Sequence, residues 1–550
     1  MKRVVVILGL STFLAGQVFG GLVTNVSVTN FTWTGSVNGN WANAGNWVAN
    51  LPTNNTPTAT APNSAQGLNS VTFVGNASHR TISLGNSLWN VRGMEFDSAP
   101  SSGGFTFNSG TSPGAAFGFS LRPDGIVNFD SHNQTFNVPI KLNSYGGGAL
   151  DLTTRTTINA ASGGFDFTGN WSGAPTHPTF DLNGGLLAFT GPGDITIGTA
   201  TTAGLISSST AAGGLEFDGP GTVSLNGTLA NTFSGEVIIN GGTVNANKVN
   251  ALGNNAPLII RNNGVLQVGA NNQSLGAGSA FIGGTVLGTT AILQMSGSNN
   301  IQSGFGGAIF GGTGGFTKTG AGTYEFSQAN TFTGGLSINN GKVKLSNTLG
   351  SGTGSGAVVI NNGGTLSGKG ISSGPLTLNS GGTINPGDPS NGNPLGMLTT
   401  GSSTWNGGST AVFQINSANG SPGAVNGWTA MTIVGSLTLS ASSGTPIKID
   451  LTSLTLSDSP GMVSDFSAST PYDWLFASAT GGITGFDPSE FVVDTTHFAN
   501  DTHGGLFSVQ VENGGHELHV TYIPEPSSIA LAVLGGFGLI FTFKIRRALK

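Results

Sequence analysis

The chain has 550 residues, no cysteine and only 8% charged side chains, while Gly fills 92 positions and hydrophobic residues make up 37%. That apolar content excludes a disordered chain, and the missing thiols exclude disulfides, thiolate catalysis and cysteine-held metals. Six of the 18 basic residues (Lys2, Arg3, Lys544, Arg546, Arg547, Lys550) lie at the two ends, so the body sets 12 basic against 24 acidic residues and is a poor partner for nucleic acid.

The chain opens with MKRVVVILGLSTFLAGQVFGG. Two cations, an apolar stretch from Val4 to Ala15 and small residues at Val18 and Gly20 predict a Sec-type signal peptide over 1–20. A β-rich region is expected over 21–205. It begins with FTWTGSVNGNWANAGNWVANLP, where Trp33, Trp41 and Trp47 either pack under a cap on the first coil or offer ring faces to sugars.

Residues 206–394 repeat themselves. NTFSGEVIINGGTV at 231–244 returns as NTFTGGLSINNGKV at 330–343, with Asn231, Thr232, Phe233, Gly235, Ile239, Asn240, Gly242 and Val244 all recurring. Asn-Gly turns recur on a finer period: Asn240 is followed by Asn262, and Asn339 by Asn361 and then Asn379. Short alternating apolar stretches lie between them, including Val237 to Ile239, Leu336 to Ile338 and Val343 to Leu345. Strands of about five residues closed by turns that tolerate positive φ follow from this. Asn-Gly turns also suit hairpins. A period near 20 residues with like side chains at like phases favours a β-solenoid, with Phe233 and Phe332 in an internal column and Asn and Thr stacked at the corners.

The stretch GGFTKTGAGTYEFSQANTFTGGLSINNGKVKL at 314–345 resembles the autotransporter-associated β-strand repeat through Gly315, Lys318, Gly320, Gly322, Thr323, Asn330, Thr331, Phe332, Gly334 and Gly335; a weaker copy begins at Gly219. The resemblance implies an all-β, right-handed parallel β-helix on an exported protein. The Trp-rich opening is similar to the start of such repeat proteins. Unlike an autotransporter, the sequence shows no closing block of alternating membrane strands.

A β-helix can carry polysaccharide lyase or hydrolase activity, which needs paired carboxylates or a base beside cations. The acids here are scattered singly, at Asp124, Asp130, Asp151, Asp166, Asp181, Asp194 and Asp218. GGHELH places His516 and His519 three apart on an expected strand, whereas a zincin needs them four apart on a helix. GPGDITIG around Asp194 occurs once and lacks the spacing of calcium-binding nonapeptides. No catalytic residue, metal or cofactor is assigned.

Residues 395–522 keep the alternating pattern but lose the short turn period, and predict a β-rich C-terminal module. Residues 523–550 differ in kind. Pro524-Glu525-Pro526 is followed by an uncharged run from Ile529 to Phe543 and then KIRRALK. The run reaches the short edge of what spans a bilayer, and the cations belong on the cytoplasmic side. This tail resembles the PEP-CTERM sorting signal, with Pro524, Glu525, Pro526, Arg546 and Arg547 as its determinants. The resemblance implies recognition by an exosortase, transient anchoring in the inner membrane, and delivery to the surface or extracellular matrix of a Gram-negative bacterium that makes exopolysaccharide. An ordinary tail anchor is the alternative. Together these readings describe an exported, non-catalytic scaffold or adhesin that meets exopolysaccharide; a polysaccharide-degrading β-helix enzyme is the alternative.

Overall fold

The computed structural model describes residues 30–525 apart from 51–69, 86–87, 99–101, 109–117, 144–152, 170–177, 210–212, 269–270, 296–297 and 388–394. Within them the regular structure is strand, interrupted by single 3-10 turns at Ala44–Asn46, Pro488–Glu490 and Asn513–Gly515. Among the described residues no helix is long and apolar enough to cross a membrane. The signal peptide and the spanning run expected at 529–543 both lie outside the described residues.

One turn of the chain shows how it is wound. Val237–Asn240, Thr243–Ala246 and Asn254–Ala256 follow one another, and each pairs in parallel with a strand of the next coil: Leu258–Arg261, Val265–Val268 and Gln273–Leu275. Three parallel ladders, each rising about 4.8 Å per coil, make a three-faced β-helix. The side-chain alternation of a strand sends every second residue inward. Val237, Ile239, Val244 and Ala246 are therefore buried on Leu258, Ile260, Leu266 and Val268, while Ile238 and Thr243 face outward.

The two repeat copies have equivalent bonding. In the first, Asn231 is buried; its Oδ1 accepts from Ile206 N of the preceding coil at 2.8 Å, and its Nδ2 donates to Ala251 O of the following coil at 2.6 Å. In the second, Asn330 Oδ1 accepts from Phe310 N at 2.8 Å and its Nδ2 donates to Gly352 O at 2.6 Å. This residue type recurs because a carboxamide carries its acceptor and its donor on two separate atoms, so one short side chain reaches both neighbouring coils. Two residues later Phe233 and Phe332 enter the core. Gly242 and Gly341 also share one duty: with φ of +63° and +69°, each lies where a Cβ would come within 2.1 and 2.4 Å of a carbonyl oxygen on the coil before. Only glycine fits there.

The winding does not begin at 206 or stop at 394, where the sequence suggests boundaries. Leu186–Thr190 pairs in parallel with Gly214–Asp218, and Leu376–Leu378 with Met397–Asn406. The coils outside 206–394 are simply longer. Asn137 bonds to Asn108 and Thr168 to Asn137 across 29 and 31 residues, and Lys448 reaches Asp494 across 46. The N-terminal coils are filled by stacked phenylalanines, with centroids 4.7 Å apart for Phe107 and Phe136 and 5.1 Å for Phe136 and Phe167.

Both described ends reverse the chain direction. At the start, Asn30–Trp33 is parallel to Ser70–Phe73 on one side and antiparallel to Trp47–Asn50 on the other. At the finish, Tyr472–Ala479 lies parallel on Ala430–Ser440 and then pairs antiparallel with Glu517–Ile523, which in turn pairs antiparallel with Leu506–Glu512. An open parallel ladder would template further strands, and these reversals close it.

Replacing Asn330 by Ala leaves two buried backbone groups without partners and is expected to cost about 2–4 kcal/mol, against under about 1 kcal/mol for Asn361→Ala, at a half-buried corner where only side-chain partners are lost. Hydrogen exchange checks this: protection should fall around Phe310 and Gly352 in the first variant only. Equal losses in both variants would contradict the clamp assigned to Asn330.

Candidate functional site

A polar ridge runs along one corner of the β-helix. Its crest is an asparagine ladder: Asn361 Nδ2 donates to Asn339 Oδ1 at 2.7 Å, Asn379 Nδ2 to Asn361 Oδ1 at 2.8 Å, and Asn406 Nδ2 to Asn379 Oδ1 at 2.9 Å. On one flank Ser337, Val359, Thr377, Thr404, Thr438 and Thr484 stand in a single register column. On the other flank the column is Lys342, Thr365, Thr383, Thr410 and Lys448. Turns such as Asn379-Ser380-Gly381-Gly382 link the two flanks, so hydroxyls lie on both sides of the amides at strand spacing. The ladder uses one N–H of each donating amide, and Asn361 Nδ2 also donates to Ser337 Oγ at 3.2 Å, which ties the crest to its flank. Such an array suits an extended hydroxyl-rich polymer.

The three tryptophans have another role. Trp33 and Trp41 are fully buried and Trp47 is 7% exposed, with ring centroids 4.8 Å apart for Trp33 and Trp47 and 4.6 Å for Trp41 and Trp47. Trp33 Nε1 donates to His79 O at 2.8 Å and Trp47 Nε1 to Trp41 O at 2.8 Å. No ring face is left for a sugar, so the stacking role considered from the sequence does not fit; the indoles plug the first coil instead.

The structure brings together acids that are scattered in sequence. Asp450 and Asp494 are register partners on adjacent coils. His497 Nδ1 lies 2.9 Å from Asp450 Oδ1, and Lys448 Nζ donates to Asp494 Oδ2 at 3.2 Å. The hydroxyl and amide of Thr496 hold the Asp494 carboxyl down at about 2, and Asp450 raises the His497 imidazole. Asp494 is thus a firmly ionised group and a poor general acid, which in a glycosidase needs a raised value. Asp194 ties coils together, its Oδ1 accepting from Thr222 N at 3.1 Å. The cavity lined by Phe189, Phe217, Val223 and the glycines around them has about 10 Å³, room for a single water.

The GGHELH histidines separate. His516 precedes the last strand and its Nδ1 lies 2.9 Å from Ala479 O, whereas His519, on Glu517–Ile523, is buried with Nδ1 2.7 Å from Asp473 Oδ1 and Nε2 3.4 Å from Glu517 Oε2. Asp473 and Glu512 were not expected beside it, because their sequence distance conceals a shared face that only the antiparallel pairing creates. Of the sorting residues, Pro524 is half-buried and Glu525 exposed beyond the last strand; Pro526, Arg546 and Arg547 lie outside the described residues.

The Passenger-associated-transport-repeat family model matches residues 218–246 and 316–345, the segments that hold Asn231, Gly242, Asn330 and Gly341. The chain is also 31% identical, over an alignment of 274 residues, to the Adhesin BmaC autotransporter of Brucella suis biovar 1 (strain 1330). That similarity covers 43% of this chain and spans 7% of the length of the curated relative.

A lysine beside the repeat asparagine was not anticipated from sequence. Lys248 is buried, and its Nζ donates to Gly204 O and, at 2.7 Å, to Asn231 Oδ1; burial pulls its pKa down from 10.5 to about 7. Between those two values the unfolded chain binds the extra proton, so the contribution of Lys248 to stability rises with pH across that window and is flat below it. The unfolding midpoint should climb between about pH 7 and pH 10, and Lys248→Met should flatten that climb. An unchanged slope in the variant would show that Lys248 does not titrate in the fold.

Proposed function

We propose that this chain is an exported, non-catalytic surface or matrix protein, a scaffold or adhesin whose corner ridge holds exopolysaccharide. The observation that carries the reading is the run of register-matched hydroxyls on both sides of the asparagine ladder. Each contact is weak, and a long glycan gains by engaging many at once. The repeat match and the similarity to a protein named as an autotransporter adhesin support the surface role. Export rests on the 1–20 leader, and delivery on exosortase recognition of Pro524, Glu525 and Pro526, followed by the apolar run and the cations around Arg546 and Arg547.

Co-sedimentation of the chain with exopolysaccharide from its own host tests the ridge. Thr404→Val and Thr410→Val keep the β-branched shape and remove one hydroxyl each; each should weaken binding about two- to tenfold, the value of one hydrogen bond, with the fold unchanged. Binding that ignores both substitutions would sink the ridge assignment. The enzymatic alternative is favoured by the Lys448, Asp450, Asp494 and His497 cluster. Release of reducing ends or unsaturated sugars, lost on Asp450→Asn, would replace the scaffold reading with that one.

Delivery has its own measurement. C-terminal peptide mass spectrometry on protein recovered from the native cell should find a chain ending near Pro524 to Pro526 outside the inner membrane. An intact Lys550 in the inner membrane would make the protein a tail-anchored one and remove the matrix role.

A further inference from the structure

The stretch of sequence that precedes the basic tail differs in charge from the remainder of the chain. Residues 449–543 contain no Lys or Arg, yet hold 11 of the 24 acidic residues and four of the seven histidines. On the outer face of the closing sheet three strands draw some of these groups together. Register places Asp473 opposite Thr521, Gln510 opposite His519 and Glu512 opposite Glu517. One ligand atom from each of Asp473, Glu512 and His519 lies within 4.8 Å of the other two. Glu517 adds a third carboxylate at the far ring nitrogen. Among the described residues no Lys or Arg forms an ion pair with any of these acids; their ion pairs are with His519 alone.

The imidazole geometry sharpens the question of what balances this charge. His519 is only 9% exposed, so its ring is held in place. At 2.7 Å Nδ1 and Asp473 Oδ1 share a proton, and a cation that displaces this proton gains the Nδ1 lone pair and the carboxylate oxygen together, while Nε2–H stays with Glu517. A metal-bound histidine commonly gives its other N–H to a carboxylate that fixes its tautomer, the part Glu517 is placed to play. Asp473 is half-exposed, which leaves a path from solvent.

We propose that Asp473, Glu512 and His519 form a binding site for a divalent transition cation, with Glu517 orienting the imidazole. One nitrogen with carboxylate oxygens suits zinc and its neighbours, whereas calcium and magnesium favour all-oxygen shells. The bound ion joins Tyr472–Ala479 to both strands of the final hairpin and so fastens the end of the β-helix immediately before Pro524. This inference is independent of the glycan reading.

The test uses the full chain, stripped with a chelator and titrated with zinc sulfate, with calcium chloride in parallel, by calorimetry and thermal unfolding. The expected result is one zinc per chain and a zinc-dependent rise in the unfolding temperature, as a ligand of the folded state produces. His519→Gln and Asp473→Asn should each weaken zinc binding by more than about tenfold, and Glu517→Gln by about tenfold, as loss of an orienting partner does. His503→Gln, at an exposed histidine, should change nothing. Asp473 is partly solvent-exposed, so its variant reports even if the His519 variant folds poorly. No zinc binding by a natively folded chain, zinc binding that survives Asp473→Asn and His519→Gln, or binding of calcium in place of zinc would each overturn the proposal.

Discussion

The hydrogen-bonded stacking of one coil on the next is the constraint on which the rest depends. A parallel strand meets its backbone needs through neighbours on both sides, so each coil is incomplete without the coils before and after it. Stability accordingly grows with coil number and draws little on charge, which is how a body with 8% charged residues folds. The corners are where backbone groups escape the ladders. Buried asparagines take over there: Asn231 and Asn330 reach one coil back with an oxygen and one coil forward with a nitrogen. At the next corner Gly242 and Gly341 let a carbonyl of the preceding coil come close.

Legibility in the sequence followed coil length. Between 206 and 394 the turns are short and the coils nearly equal, so Asn240 and Asn262, then Asn339, Asn361 and Asn379, fall at regular steps and stand in contact where the period places them. The β-helix, its inward Phe233 and Phe332 and its stacked corner asparagines were readable for that reason. Outside that region the winding is the same but the loops vary. Phe107, Phe136 and Phe167 are as well stacked as any repeat pair, yet nothing in their spacing announces a common coil. The hydroxyl columns beside the asparagines were only half readable: Thr is abundant everywhere, and which threonines align depends on register that sequence does not carry.

The tryptophans show a different limit. Three indoles within fifteen residues of one another suit a sugar platform or a plug, and composition cannot separate the two. Their fate is decided by position, because among the described residues no coil precedes theirs to cover its core. Trp33, Trp41 and Trp47 fill that opening with large apolar area and send two of their N–H groups to backbone carbonyls.

The far end solves the same problem with different chemistry. There the last parallel coil is covered by an antiparallel sheet whose inner face carries Trp474, Phe476 and Tyr522 and whose outer face carries acids and histidines. An acidic, cation-free surface would weaken a cap, because like charges on neighbouring strands repel. Its persistence at the point where the chain leaves the β-helix makes sense if a positive partner completes it. The two ends thus differ in kind: large indole rings with N–H bonds to backbone carbonyls close the N-terminal plug, whereas the C-terminal cap sets acids and histidines on its outer face.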